Sequence, residues 1–181
     1  MKNKQAFTLI ELLVVVLIIG ILAGVALPQY TLAVNKSRFA NLRTMAKMYE
    51  SAVQAYYLAN GTWPTTFDEL SMEPPAGMTI THLPQSERNY SCASDGKIYC
   101  CISPYTATQN ASVICGQKDL SFAYSDNLYY PDIPTGDYCI AKTSDANATK
   151  LCKAMGTPFA GYNLISEQDH LSGYYWYTVK Q

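Results

Sequence analysis

Hydrophobic and polar positions divide this chain into three regimes, each predicting a different kind of element. Positions 7–27, FTLIELLVVVLIIGILAGVAL, form an apolar block of 21 residues with one charge, Glu11. A helix of that length spans about 30 Å, the thickness of a bilayer's hydrocarbon layer. From position 28 the pattern becomes periodic. Phe39, Leu42, Ala46, Tyr49, Val53 and Tyr56 recur at alternating spacings of three and four, which predicts an amphipathic helix. Met45 and Ala52 widen this stripe. Lys36, Arg38, Arg43, Lys47, Glu50 and Gln54 mark the opposite face, where Lys47 and Glu50 stand at i,i+3 spacing for an ion pair. These charges read as a solvated or subunit-facing surface, with lipid contact as the alternative. Asn60-Gly61 supplies the stop and Pro64 makes it firm. Joined, the two segments make one helix from Phe7 to Ala59, about 80 Å long. Such a helix outgrows a globular core, so its first half needs other apolar surroundings.

The third regime, 61–181, loses the helical period. Thr66 and Glu69 have capping-box spacing for a short helix or turn, closed by Pro74-Pro75 and Gly77. Beyond it, β-type segments alternate with turn signals. The clearer candidates are Lys97–Ile102, Ala111–Cys115, Leu120–Tyr124, Tyr138–Ala141 and Tyr174–Val179. Asp95-Gly96 predicts a tight turn, and Ala146–Met155 a short helix closed by Gly156. The fold class is therefore α+β: a long N-terminal helix packed on a small antiparallel sheet.

Charge and composition exclude several functions. Thirteen Lys and Arg against 14 Asp and Glu leave a formal charge of −1, which argues against a polyanion-binding surface. The two histidines, His82 and His170, are far apart and next to no nucleophile pattern. No Gly-rich phosphate loop is present, so no catalytic residue and no cofactor is assigned. The 15 tyrosines, notably Tyr129-Tyr130 and Tyr174-Tyr175-Trp176-Tyr177, read as sheet packing, with a carbohydrate or adhesive surface as the alternative. Three N-glycosylation acceptor patterns, at Asn60, Asn110 and Asn147, read as chance matches.

The six cysteines, Cys92, Cys100, Cys101, Cys115, Cys139 and Cys152, all lie in the third regime. No C-x-x-C occurs and no His stands at ligand spacing, so no metal site is assigned. An even count favours disulfides in an oxidising compartment. Adjacent Cys100 and Cys101 on a strand would point to opposite faces and bond different partners. The pairing among Cys92, Cys100, Cys101 and Cys115 stays open.

Lys2 and Lys4 precede the apolar block, which places the N-terminus on the cytoplasmic side and the bulk of the chain across the membrane. A cleaved secretory signal competes with a plain anchor, but the apolar run is long for a signal and the helical pattern continues past it. Glu11 is the anomaly, because a carboxylate in hydrocarbon is costly unless neutralised or paired. No cation in the segment serves it. A cut before Phe7 would create an α-amine four residues away, able to meet Glu11 within one chain or across two. Gly20 and Gly24 form a small-xxx-small pair, read either as chance or as a site of close helix approach. Pro28 cannot donate to the carbonyl of Gly24, which marks 24–28 as the weak point of the helix.

Ala6-Phe7-Thr8-Leu9-Ile10-Glu11-Leu12, followed by the apolar run and Pro28, resembles the leader and N-terminal helix of type IV pilins and pseudopilins. The resemblance implies a pilin-like fold. It implies a leader at 1–6 removed by a prepilin peptidase between Ala6 and Phe7, and N-methylation of Phe7. Ala6 departs from the glycine usual before that bond. Glu11 then corresponds to the glutamate used in assembly. The segments become a transmembrane and filament-core helix at 7–27, its amphipathic continuation at 28–60 and a disulfide-bonded extracytoplasmic head at 61–181. Gly24 and Pro28 mark a stretch that packed filaments can melt. Cys139 and Cys152 enclose a loop like the disulfide-bounded loop of many pilins. The implied protein is a structural subunit stored in the inner membrane and polymerised into a helical filament at the cell surface. Its partners would be copies of itself, other pilins or pseudopilins, the peptidase and methyltransferase, an inner-membrane assembly platform, and the bilayer before assembly. The implied tasks are adhesion, motility or DNA uptake. Two alternatives are a pseudopilin of a type II secretion system and a bitopic anchor carrying a periplasmic binding module.

Overall fold

The computed structural model describes residues 8–85, 88–104, 111–119, 121–129, 134–159 and 174–180. One helix, α1 (Leu9–Asn60, 52 residues), dominates it. Thr8 caps its start, and Gly61 ends it at φ 72° with its N–H bonded to the Tyr57 carbonyl at 2.8 Å. That left-handed conformation suits glycine and stops the chain at the predicted signal. A 3-10 turn (Phe67–Glu69) follows, where the Glu69 carboxylate accepts the Thr66 N–H at 3.3 Å.

Among the described residues, eight strands then form one antiparallel sheet. They are β1 (Thr79–Gln85), β2 (Arg88–Ser94), β3 (Ile98–Pro104), β4 (Ala111–Gln117), β5 (Phe122–Tyr129), β6 (Gly136–Lys142), β7 (Gly156–Pro158) and β8 (Tyr174–Val179). The first six run as a meander, and β8 inserts between β6 and β7. A second helix, α2 (Ala146–Met155), links β6 to β7, its first turn capped by the Asp145 carboxylate, which accepts the Asn147 and Ala148 N–H groups. The sheet exceeds the five strands legible in sequence. β2, RNYSCAS, is polar and small along most of its length, β1 contains a proline, and β7 has only three residues. The segment expected from Leu120 instead runs from Phe122 through Tyr129, and Leu120 lies outside the described residues.

Strand alternation gives the sheet two faces. Toward α1 it presents Ala93, Cys100, Ile102, Val113, Cys115, Phe122, Tyr124, Cys139, Ala141, Tyr177 and Val179. Against them lie Phe39, Leu42, Ala46, Tyr49 and Val53 of the helix stripe, all buried, with Tyr56 partly so. Phe39 meets Tyr124 edge-on at 5.7 Å, and Tyr49 meets Phe67 at 4.9 Å. The opposite face carries a smaller cluster of Ala123, Tyr138, Ile140 and Trp176. Tyr124, Tyr138 and Tyr177 pack on the two faces as the sequence predicts, whereas Tyr175 is exposed and Tyr130 lies outside the described residues.

Three disulfides hold this layer. Cys92 bonds Cys101 and Cys100 bonds Cys115, each pair directly opposed in register across β2–β3 and β3–β4. Adjacent cysteines on β3 therefore tie it to one neighbour on each side. Cys139 bonds Cys152, joining β6 to α2. Each closes a loop of 9 to 15 residues, worth about 3 kcal/mol by constraining the unfolded chain.

Of the polar helix face, Arg43 and Lys47 do not read as the sequence suggested. Both turn to the sheet: Arg43 pairs with Asp137 at 2.9 Å, and Lys47 with Asp137 at 2.9 Å and with Asp126. Lys47 also pairs with Glu50 at 2.9 Å.

Phe39 is fully buried in the helix–sheet contact. Phe39→Ala is expected to destabilise the head by about 3–5 kcal/mol. Denaturant unfolding of the variant beside the parent, with disulfides intact, checks this.

Candidate functional site

The functional candidate is the first half of α1. From Leu9 to Leu27 every Leu, Ile and Val is exposed, from 45% at Val14 to 87% at Leu9. None of the most apolar 18-residue window is buried against the rest of the chain. By length and composition the helix can cross a membrane. Extended apolar surface of this size is not stable in water and requires lipid or other protein around it.

The polar features of this half sit at its start. The Glu11 carboxylate accepts the Thr8 N–H at 2.8 Å and the Thr8 hydroxyl at 2.7 Å, while the Glu11 N–H donates to the Thr8 hydroxyl oxygen at 3.3 Å. This is a reciprocal capping box, in which two otherwise unpaired N–H groups of the helix end are satisfied. Sequence reasoning found no cation to serve Glu11 and missed Thr8 as an in-chain partner. The signal was present as T-x-x-E, the same spacing that was read at Thr66 and Glu69. Ala6 and Phe7, assigned to processing and assembly, lie outside the described residues, as does the leader.

Gly20 and Gly24 lie on the bare helix surface, where an added Cβ would meet nothing within 4 Å. They face open space, so whatever close approach they permit is with another molecule. Pro28 lies within α1, and the helix continues through it unbroken. The missing N–H leaves the Gly24 carbonyl without its usual intrahelical donor. Three residues on, the Thr31 hydroxyl donates to the Leu27 carbonyl at 3.1 Å. Tyr30, 69% exposed, stands just past the apolar block, where an amphipathic ring suits a membrane–water boundary.

The six cysteines lie far from this half of the helix, in the head, so the two ends of the chain carry separate roles. The apolar end offers an interface with no partner among the described residues, and the disulfide-bonded end offers a fixed surface.

Residues 1–27 match the family model described as the prokaryotic N-terminal methylation motif. The chain is 44% identical to a fimbrial protein of Neisseria meningitidis serogroup B over 144 residues, covering 69% of this chain and 82% of that one. It is 44% identical to the type IV major pilin protein PilE1 of Neisseria gonorrhoeae over 61 residues, 34% of this chain and 37% of that one. It is 32% identical to the type II secretion system core protein G of Klebsiella pneumoniae over 113 residues, 54% of this chain and 79% of that one. No solved structure gives a significant match.

Pro28→Ala restores the donor that the Gly24 carbonyl lacks. Amide exchange across 24–31, measured by mass spectrometry on the chain in detergent micelles, is expected to slow about tenfold, while exchange in the sheet stays unchanged. Equal exchange in both proteins would show that Pro28 does not weaken this turn.

Proposed function

Since the chain belongs to the type IV pilin family, we propose that it is a structural subunit of a pilus-like filament, stored in the inner membrane and assembled from it. The observation that carries the reading is the bare apolar half of α1, continuous with a helix half that is fixed to a disulfide-bonded head. In a bilayer, lipid covers the apolar half. In a filament, the same half of neighbouring subunits covers it, and the heads form the outer surface.

Glu11 supplies the polar control of that transfer. With Phe7 as the new N-terminus, its amine carries a positive charge near the start of the helix. A neighbour's Glu11 carboxylate neutralises it across the subunit contact, and a shifted axial register leaves both charges unpaired in apolar surroundings. The pair therefore favours one register. Thr8 holds Glu11 through two hydrogen bonds in the single chain, so the carboxylate is partly satisfied before a neighbour arrives. Cleavage between Ala6 and Phe7 by a prepilin peptidase, methylation of Phe7 and engagement of an assembly platform belong to the same proposal. So do a cytoplasmic N-terminus and a periplasmic head before assembly, and the tasks of adhesion, motility or DNA uptake afterwards. The role is structural and not catalytic.

A second reading, a pseudopilin of a type II secretion system, is favoured by the likeness to the Klebsiella protein G. The two readings share the helix and differ in where the filament ends.

Removal of 1–6 from 181 residues leaves 175. In filaments sheared from cells, the expected intact mass is that of a 175-residue chain carrying one methyl group and lacking six cysteine hydrogens before reduction. Glu11→Ala is expected to abolish its recovery from the sheared fraction while the processed chain persists in membranes. The processed parent confined to membranes would favour the secretion-system reading, and an unprocessed chain would overturn the filament proposal.

A further inference from the structure

The contact between α1 and the sheet contains a charge cluster that filament assembly does not explain. Asp126 on β5 and Asp137 on β6 are directly opposed in register. Like charges in that position repel. Strand alternation places both on the side facing α1, where Lys47 bridges them and also binds Glu50. Arg43 adds a second contact to Asp137. Burial is uneven: the Asp126 side chain is 4% exposed and that of Lys47 41%.

The groups that face Asp126 can be named from each element. From α1 come Arg43, Lys47 and Glu50, from β6 Asp137, and from β5 itself the hydroxyl of Tyr124. The opposed residue on β4 is Val113, which does not titrate. Among the described residues three carboxylates thus share two cations, and one negative charge remains in a contact whose carboxylates are largely buried while its cations are part-exposed. One bound proton balances the count. We propose that this cluster is a proton-operated latch: protonation of Asp126 closes the contact between the amphipathic half of α1 and the β5–β6 pair, and its ionisation loosens it.

The titration of the groups supports the assignment of the proton to Asp126. Burial, and next the neighbouring Glu50 carboxylate, push its carboxyl up to about 7 against the pull of Lys47. Asp137 moves the other way. Burial alone would raise it, but Lys47, Tyr124 and Arg43 together hold it below the usual carboxylate range. Burial alone would lower Lys47, but its three carboxylates outweigh that and keep the ammonium charged. Asp126 thus binds its proton more tightly in the docked state than in solvent. Docking therefore strengthens by up to about tenfold for each unit that pH falls between about 7 and about 4, and its dependence on Asp126 flattens above that window. Asp137 opposes this only at lower pH, where its stabilisation is lost as its depressed carboxyl takes up a proton. The inference concerns the head and stands whichever filament the chain builds.

Two measurements on the full mature chain in detergent micelles test it. Carboxyl carbon NMR of the parent is expected to show Asp126 titrating near neutrality. Amide exchange of Phe39–Val53 and Phe122–Tyr129, corrected for the intrinsic pH dependence of exchange, is expected to quicken up to about tenfold per unit from pH 5 to about 7. In Asp126→Asn, which keeps an oxygen for Lys47 but holds no titrating proton, that dependence should disappear. An ordinary carboxylate midpoint for Asp126, or an unchanged slope in the variant, would overturn the latch. If the variant does not fold, the parent's carboxyl titration decides alone.

Discussion

A helix of 52 residues cannot bury both of its halves within a chain of this size. That constraint organises the molecule. The head has one sheet to offer, and its helix-facing side is filled by the stripe from Phe39 to Val53. The preceding apolar half then meets no surface among the described residues, and its side chains stand bare. Burial of that half is deferred to another phase, lipid or neighbouring helices. Lipid and packed apolar side chains are similar solvents for such a surface, so moving between them changes its hydrophobic free energy little. What differs between the two is the handling of polar groups. Glu11 is the one charged side chain in the block, and in the filament proposal discrimination between storage and assembly falls to it.

Docking of the second half of α1 follows a different logic. Apolar packing alone would hold the stripe to the sheet but would leave the angle about the helix axis weakly fixed. Lys47 and Arg43 flank that stripe and reach two strands at once. Their bonds to Asp126 and Asp137 have narrow geometric tolerance, so they define the rotation of the helix over β5 and β6. Ion pairs partly withdrawn from water add little net stability, and their better-attested effect is specificity. The surplus carboxylate then makes this specificity sensitive to protons.

How much of this was legible in the sequence depends on the range of the interaction. The helix, its stop at Gly61 and the stripe residues were readable because they rest on local periodicity and local caps. The bounds of α2 and β8 were readable for the same reason, from Gly156 and from a run of β-prone aromatics. β2 was not, because its small polar residues acquire strand character only by pairing with β1 and β3. The partners of Arg43 and Lys47 were not legible either, since Asp126 and Asp137 lie 79 or more positions away, brought there by the register of β5 and β6. At the N-terminal site the local signal existed. Thr8 and Glu11 stand at capping-box spacing, which marks the Thr8 hydroxyl as a partner for the carboxylate where no cation is present.

The adjacent cysteines show how a local feature acquires meaning from the sheet. Sequence alone implies only that Cys100 and Cys101 face opposite sides of a strand. Register adds that each meets a cysteine directly across, Cys115 on one side and Cys92 on the other. A slip of β3 by one residue would turn Cys100 away from Cys115 and Cys101 away from Cys92 together. Two disulfides on opposite faces therefore fix the register of three strands more firmly than two on one face would. The third bond, from Cys139 on β6 to Cys152 on α2, secures the far side, where β8 enters out of sequence order. Between these two anchorages lies β5, which carries no cysteine, and β6 beside it is tied to α2 but not to β5. They are the strands that receive Lys47 and Arg43. Covalent bonds fix the sheet on both flanks, and an ionic contact joins its centre to the helix, so the proposed response to protons falls on the junction between helix and head.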